Sequence, residues 1–408
     1  MTAATAAVRR TDRPLPTAAL IALFALIGLN LRSVFGAVPP LLDDIGADLA
    51  LSGFALSLLT AIPTLCLGLL APPASRLALR IGHEQVTAAA LVVLTLAEAL
   101  RLAGSVVALL YLSTFLTGAA IGAISTMMPA LLGYHLESRP GLGAGVYSTA
   151  MATASACAAW LAVPLATSLG GWNRSLASWS LLTAVTTACW LLVLPRLTRP
   201  ASAQPQEPEA SGLPWRSRTA WLLTAYFALQ TFVGFAAMTW VAPAYRDAGW
   251  SADAASRLLS VFFAIQIVGM LVLPAITDRT TDRRPVLLLS SGTCTLGLLC
   301  LAATPSLAWL GAVLFGLGIG GGFAVGLVLL VDVTRSRAEA ARLSAMVFLL
   351  SYTFATLGPV LVGVLRDVTG GYALGFWCLT VAGFGLVAVV PFLRPSLDLL
   401  DRAPLSRE

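Results

Sequence analysis

Residues 17–38 read TAALIALFALIGLNLRSVFGAV, and Pro39-Pro40 follows. At 22 residues the stretch is long enough for a helix crossing the hydrocarbon core of a bilayer, which takes about 20 apolar residues. Arg32 lies 15 residues beyond Thr17. At ~1.5 Å per residue that is roughly 22 Å along the helix, about two thirds of the way across. A mid-membrane arginine costs about 2.5–3.5 kcal/mol on insertion scales, so it must face a partner, a carbonyl or a watery cavity. The expectation is that Arg32 lines a polar path through the membrane. Asn30, two residues earlier, points to a different side of the helix, where a helix–helix bond competes with any ligand.

The same kind of run recurs along the chain. The 408 residues are 58% hydrophobic and 11% charged, with mean hydropathy +0.87, where soluble domains carry about 25% charged residues. This is the composition of a polytopic membrane protein. The net charge of +6 is carried by 25 arginines, with no lysine. No arginine cluster is interleaved with aromatics, so nucleic acid is not an expected partner. The six cysteines sit in apolar runs without Cys-x-x-Cys spacing and read as small core residues. Arg9, Arg10 and Arg13 precede the first run as in a signal peptide, but that run exceeds an h-region of about 7–15 residues. It reads as a retained first helix.

Apolar runs fall near 17–38, 51–72, 85–104, 106–130, 142–168 and 174–195, then near 219–243, 254–276, 285–303, 306–331, 341–366 and 371–393. With a cytoplasmic N-terminus, 19 arginines lie in inner segments and four (Arg174, Arg246, Arg257, Arg366) in outer ones. The positive-inside rule then puts both termini in the cytoplasm. Residues 197–218 have the Pro, Ala, Ser and Glu composition of a linker, dividing the chain into a bundle at 1–196 and another at 219–408. The halves echo one another. Pro40, Asp44 and Gly46 recur 203 residues later as Pro243, Asp247 and Gly249, and Leu116-x-Gly118-x-x-Ile121-Gly122 recurs 198 later as Leu314-x-Gly316-x-x-Ile319-Gly320. Gly170-Gly171-Trp172 recurs 200 later as Gly370-Gly371-Tyr372. Six spans per copy preserve orientation, so the repeat is parallel, with a binding site expected between the bundles near the midplane.

Twelve spans as six plus six, with a polar central linker, resemble the major facilitator superfamily. Asn30-Leu31-Arg32, Pro39-Pro40, Trp240-x-x-Pro243, Leu343-Ser344-Ala345-Met346 and the run from Leu357-Gly358-Pro359 to Gly370 are similar to its cyanate permease and 2-nitroimidazole transporter branch. The resemblance implies an all-α membrane protein of twelve transmembrane helices in two six-helix bundles, located in the cytoplasmic (inner) membrane. It implies secondary transport of a small polar or anionic solute by alternating access, by a monomer without cofactor. A proton-coupled exporter of a drug or toxic metabolite is the alternative; a sensor or pore fits less well. No metal cluster, phosphate loop or nucleophile–base set argues for an enzyme. The superfamily's gating loops correspond to Asp278-Arg279 and to Arg76, the latter preceded by Ser75 where aspartate is common. Gln230 fits the branch pattern of the seventh helix.

Arg32 is the expected anion anchor, because guanidinium offers a planar fork of donors to small oxyanions. Gln230, Gln266, Tyr147 and Tyr352 are further candidates for substrate contact, each with a packing or interhelical alternative. Glu98 and Arg101 are three residues apart on one face and can neutralise each other. Glu98 is nevertheless the only carboxylate well inside a span, and so the candidate for proton coupling. His83 and His135 fall at the cytoplasmic side, outside any intramembrane relay. Asp332 is expected to pair with Arg335 or Arg337. Pro63, Pro129, Pro164, Pro274 and Pro359 are expected to kink or break their helices, and the glycines at 316, 318, 320, 322 and 326 to let a helix approach its neighbours.

Overall fold

The computed structural model describes residues 16–136, 140–197, 212–277 and 282–393, and all regular structure among them is helical. The first half forms α1 (Thr17–Ala37), a 3-10 turn at Pro39–Leu41, α2 (Leu42–Leu49), α3 (Gly53–Leu69), α4 (Ala71–Ile81) and α5 (His83–Leu100). A 3-10 turn at Arg101–Ala103 leads to α6 (Val107–His135), α7 (Pro140–Leu169) and α8 (Trp172–Leu197). The second half forms α9 (Arg218–Asp247), α10 (Ala252–Thr277), α11 (Arg284–Ala303), α12 (Ala308–Asp332), α13 (Arg337–Ala355), α14 (Leu357–Thr369) and α15 (Ala373–Val389). Eleven segments are long and apolar enough to span a bilayer, and α3 with α4, bent by 53°, makes a twelfth. Most of the linker expected at 197–218 lies outside the described residues.

Of the five prolines expected to kink or break helices, Pro359 falls at a break, between α13 and α14. Pro63, Pro129, Pro164 and Pro274 lie inside continuous helices. Breaks come at Leu70, just before Ala71-Pro72-Pro73, and at Thr356, just before Gly358-Pro359. In each, proline falls in the first turn of the new helix, where its missing N–H costs nothing. Pro39 and Pro40 likewise turn the first span rather than end it, and helix resumes to Leu49.

Within each half the helices pack mainly on one another: α1 on α7 and α8, α5 on α6 and α8, α12 on α10 and α11, α9 on α13 and α15. Glycines set the closest approaches. Gly316 and Gly320 of α12 receive the backbone of α10 around Gln266, Gly318 receives α11 at Ser290 and Cys294, and Gly322 and Gly326 receive Tyr226 and Phe227 of α9. One glycine-rich helix thus touches three neighbours along separate faces.

The halves meet along a seam: α3 against α13 and α14, α7 against α10, and the turn after α1 against α9 and α10. Its polar crossings lie toward the end carrying Arg246 and Arg366, the arginine-poor end. There Asp367 of α14 caps α3, accepting from the Gly53 and Phe54 N–H groups at 2.6 and 2.8 Å. Arg246 pairs with Asp44 at 2.8 Å and Asp43 at 3.5 Å, and donates to the Pro40 carbonyl. Deeper, Thr239 donates to Thr60 at 2.9 Å, and Ser256 donates to the Ala159 carbonyl. At the opposite, arginine-rich end, α4 and α6 pack on helices of their own half. Asp332 there pairs with Arg283 at 2.9 Å, a partner beyond the neighbouring Arg335 and Arg337 expected from sequence. Arg283, just before α11, lies across from the end of α12, while the Arg335 N–H bonds forward to Glu339.

Candidate functional site

Arg32 sits where α1 faces the second half. The side of α1 bearing Gly28 and Gly36 packs so closely on α7 that a Cβ at Gly28 would come within 2.7 Å of the Tyr147 carbonyl oxygen. Arg32, four residues from each glycine, shares that side of α1, and the Ser155 hydroxyl of α7 donates to its carbonyl at 3.4 Å. Its guanidinium lies over the Phe35 ring, 5.4 Å from the centroid, a favourable cation–π geometry. Phe35 meets Phe235 of α9 edge-on at 5.6 Å, Phe235 meets Tyr352 of α13 at 6.1 Å, and Tyr352 stacks on Phe348 at 5.9 Å. Arg32 acts electrostatically on the Tyr352 and Tyr147 hydroxyls.

Arg32 is half-buried rather than sealed, as are Tyr147, Tyr352 and Phe348. A groove of about 490 Å3 runs along α1 and α7 between Leu29 and Thr153. Its lining belongs to the first half alone, with Leu29 on α1 and Leu142, Gly145, Val146, Thr149, Ala150 and Thr153 on α7. The arrangement is a cation beside two phenols and a chain of aromatic rings where the two halves meet. It can hold a small flat group bearing negative or strongly polar character, with ring faces and edges for its apolar surface.

The other expected residues divide. Asn30 turns the opposite way and is buried: its amide donates to the Leu26 carbonyl at 2.7 Å and to Thr186 at 2.8 Å, and accepts from Thr183 at 2.7 Å. It therefore joins Glu98, whose carboxyl contacts Thr183 at 2.6 Å. Glu98 and Arg101 are both buried. They act on each other electrostatically, yet the hydrogen bond of Glu98 is with Thr183 and not with Arg101. Gln230 is buried and donates to the Ile319 carbonyl of α12 at 3.0 Å, an interhelical bond away from Arg32. Gln266 is half-buried with its Cγ over Gly320. Arg76 is exposed on α4, and Asp278 and Arg279 lie outside the described residues. His135 bonds Glu84 at 3.1 Å where α5 begins and α6 ends.

Sequence reasoning missed the aromatic wall and Thr183. Phe35 is three residues beyond Arg32, a spacing that puts it on the same face. Thr183, Thr186 and Thr187 carry the i, i+3, i+4 pattern of a hydroxyl face, a signal present in the sequence but common in apolar helices.

A family model described as Major Facilitator Superfamily matches residues 19–248 and 236–407. An uncharacterized transporter of Bacillus subtilis (strain 168), YycB, is 29% identical over 367 residues, covering 89% of this chain and 90% of its own. The cyanate transport protein CynX of Escherichia coli (strain K12) is 29% identical, covering 91% and 96%. The 2-nitroimidazole transporter of the same organism is 27% identical, covering 90% and 95%. The crystal structure of the nucleoside transporter NupG superposes with TM-score 0.74 at 15% identity, covering 92% of this chain and 98% of that one.

Proposed function

The chain belongs to the Major Facilitator Superfamily, a family of membrane transporters rather than enzymes, and from that premise we propose that it carries a small, planar, anionic or strongly polar solute by alternating access. Cyanate-like ions and small nitrogen heterocycles are the proposed solute class, in keeping with the solutes named for two relatives. The observation that carries the reading is Arg32, held half-exposed over Phe35 with Tyr147 and Tyr352 beside it, between the two halves. Arg32 anchors the solute's charge, the two tyrosines complete its polar contacts, and half-buried Phe348, stacked on Tyr352, favours a flat shape.

The bundles at 1–196 and 219–408 rock about this site, working as a monomer in the cytoplasmic membrane with both termini inside. In that orientation the polar crossings of the seam lie on the outer side. Arg76 and the Asp278-Arg279 pair act as gating positions on the inner side. Glu98, with Arg101 as its charged neighbour, carries proton coupling.

The test is counterflow of labelled cyanate and of labelled 2-nitroimidazole in proteoliposomes. A hydrogen bond to a charged group contributes about 1.5–3 kcal/mol, so Arg32→Ala should weaken solute binding roughly 10- to 100-fold while the protein still reconstitutes as a monodisperse species. Wild-type flux in that variant would remove Arg32 as the anchor. Imposed proton gradients of either sign then distinguish uptake from export.

A further inference from the structure

The protons around Thr183 do not add up unless Glu98 carries one. Thr183 Oγ1 lies 2.7 Å from Asn30 Oδ1 and 2.6 Å from Glu98 Oε2, and a threonine hydroxyl has a single proton to donate. The Asn30 amide is oriented by its other end, because Nδ2 donates to the Leu26 carbonyl and to Thr186. A flipped amide would set oxygen against that carbonyl. Asn30 Oδ1 can only accept, so the Thr183 proton goes to it. The contact with Glu98 Oε2 then requires a second proton, and the carboxyl is the group able to hold it. Turning the hydroxyl to the Trp179 carbonyl at 3.3 Å would leave both shorter contacts without a proton.

The rest of the environment agrees. Glu98 is fully buried, and its Oε1 has no hydrogen-bond partner. A bare carbonyl oxygen of a neutral acid is far cheaper to bury than half of a carboxylate. Arg101 acts on the carboxyl through space, with no hydrogen bond to it, and its own Nε is buried without a partner. Other titratable groups of the packing helices are engaged away from Glu98: on α6, Tyr111 bonds the Ala55 carbonyl and His135 bonds Glu84; on α8, Arg174 bonds the Leu169 carbonyl and Arg196 lies in the last turn; on α1, Arg32 lies over Phe35.

We infer that in this conformation Glu98 is a neutral acid donating to Thr183, and that Thr183 is the positioning residue relaying its protonation state to Asn30 on α1. This deepens the coupling role proposed above and rests on it for its meaning in transport. When Glu98 gives its proton to the buffer, the carboxylate becomes acceptor-only and competes for the Thr183 proton. Asn30 Oδ1 then loses its donor, and α1 loosens from α8 two residues from Arg32. The protonation of one helix is thereby read by the helix that holds the solute anchor.

Infrared difference spectra of the purified full chain in lipid nanodiscs, with no solute added, test this directly. At neutral pH, Glu98→Gln should delete one protonated-carboxyl C=O band present in the wild type. Thr183→Val should shift that band to higher frequency as its hydrogen bond is lost, and Thr183→Ser should leave it in place. Thr183→Ser also serves where the valine variant fails to fold, and raising the pH on wild-type protein should then bleach the same band. Absence of any band assignable to Glu98, or a Thr183→Val spectrum identical to wild type, overturns the relay. Since no solute is present, a failed relay leaves Arg32-dependent counterflow standing, and failed counterflow leaves these spectra interpretable.

Discussion

Asn30 and Arg32 are adjacent but one in sequence, and the helix sends them to unrelated environments. Arg32 is held over Phe35 at the seam, and Asn30 makes three hydrogen bonds inside its own half. The difference predicts separable phenotypes. Asn30→Leu removes the bonds to Thr183 and Thr186, at about 0.5–1.5 kcal/mol each, while Thr186 keeps the Leu182 carbonyl and Thr183 keeps Glu98. The expected result is a clear drop in thermal midpoint while solute, once bound, still protects the protein. Arg32→Lys should leave the midpoint alone and weaken binding, because an ammonium keeps the charge but lacks the planar fork. Thermal unfolding with and without cyanate separates the two. Arg32 was legible because a charge in a 22-residue apolar run has no cheap explanation. Thr183 was not, because threonine in an apolar helix ordinarily bonds its own preceding turn, and only the fold brings Glu98 and Asn30 to it.

At the scale of helices, the glycine stripe of α12 was readable as close packing, but its division among three neighbours was not. Spacing of four identifies a shared face, whereas which helix lies on that face is a matter of tertiary arrangement. The consequence is a graded prediction. A Cβ at Gly318 would meet the Ser290 carbonyl oxygen of α11 at 2.6 Å, and one at Gly322 would meet Gln230 Nε2 at 2.7 Å; one at Gly292 would meet nothing within 4 Å. Backbone cannot move aside as a flexible side chain can, so Gly318→Ala should cost about 1–3 kcal/mol by overpacking. Gly322→Ala should cost less, since the Gln230 amide can shift. Gly292→Ala should stabilise by about 0.5–1 kcal/mol through helix propensity. Melting curves of the three variants should fall in that order. The prolines teach the same lesson: sequence located them, but helices broke where proline opens a new first turn, at Leu70 and Thr356.

For the whole molecule, span count and duplication were legible because length, hydropathy and arginine bias are summed over many residues. Which end closes was not, because it depends on how the copies face each other. The repeat offset of 203 makes Arg246 the counterpart of Asp43, and the two meet across the seam at 3.5 Å. Equivalent positions of a twofold-related pair oppose one another, so identical charges there would repel and the opposite charges bind. Asp367 adds a carboxylate on the first N–H groups of α3, where the helix dipole favours a negative charge. Asp367 is solvent-exposed, so screening limits this latch to about 1 kcal/mol. Asp367→Asn should therefore shift the conformational balance roughly fivefold toward opening at the arginine-poor end. Thr60 and Thr239 report that shift, because their hydroxyl oxygens lie 2.9 Å apart, and two cysteines there fall within reach of a disulfide. In a Thr60→Cys, Thr239→Cys double variant, oxidant should abolish counterflow and reductant restore it, since the closed seam can no longer part. Adding Asp367→Asn should slow the crosslinking while leaving the locked state just as inactive. Unchanged flux after complete crosslinking would mean that this seam does not open during transport, and a rocking motion of the two halves about Arg32 could not stand.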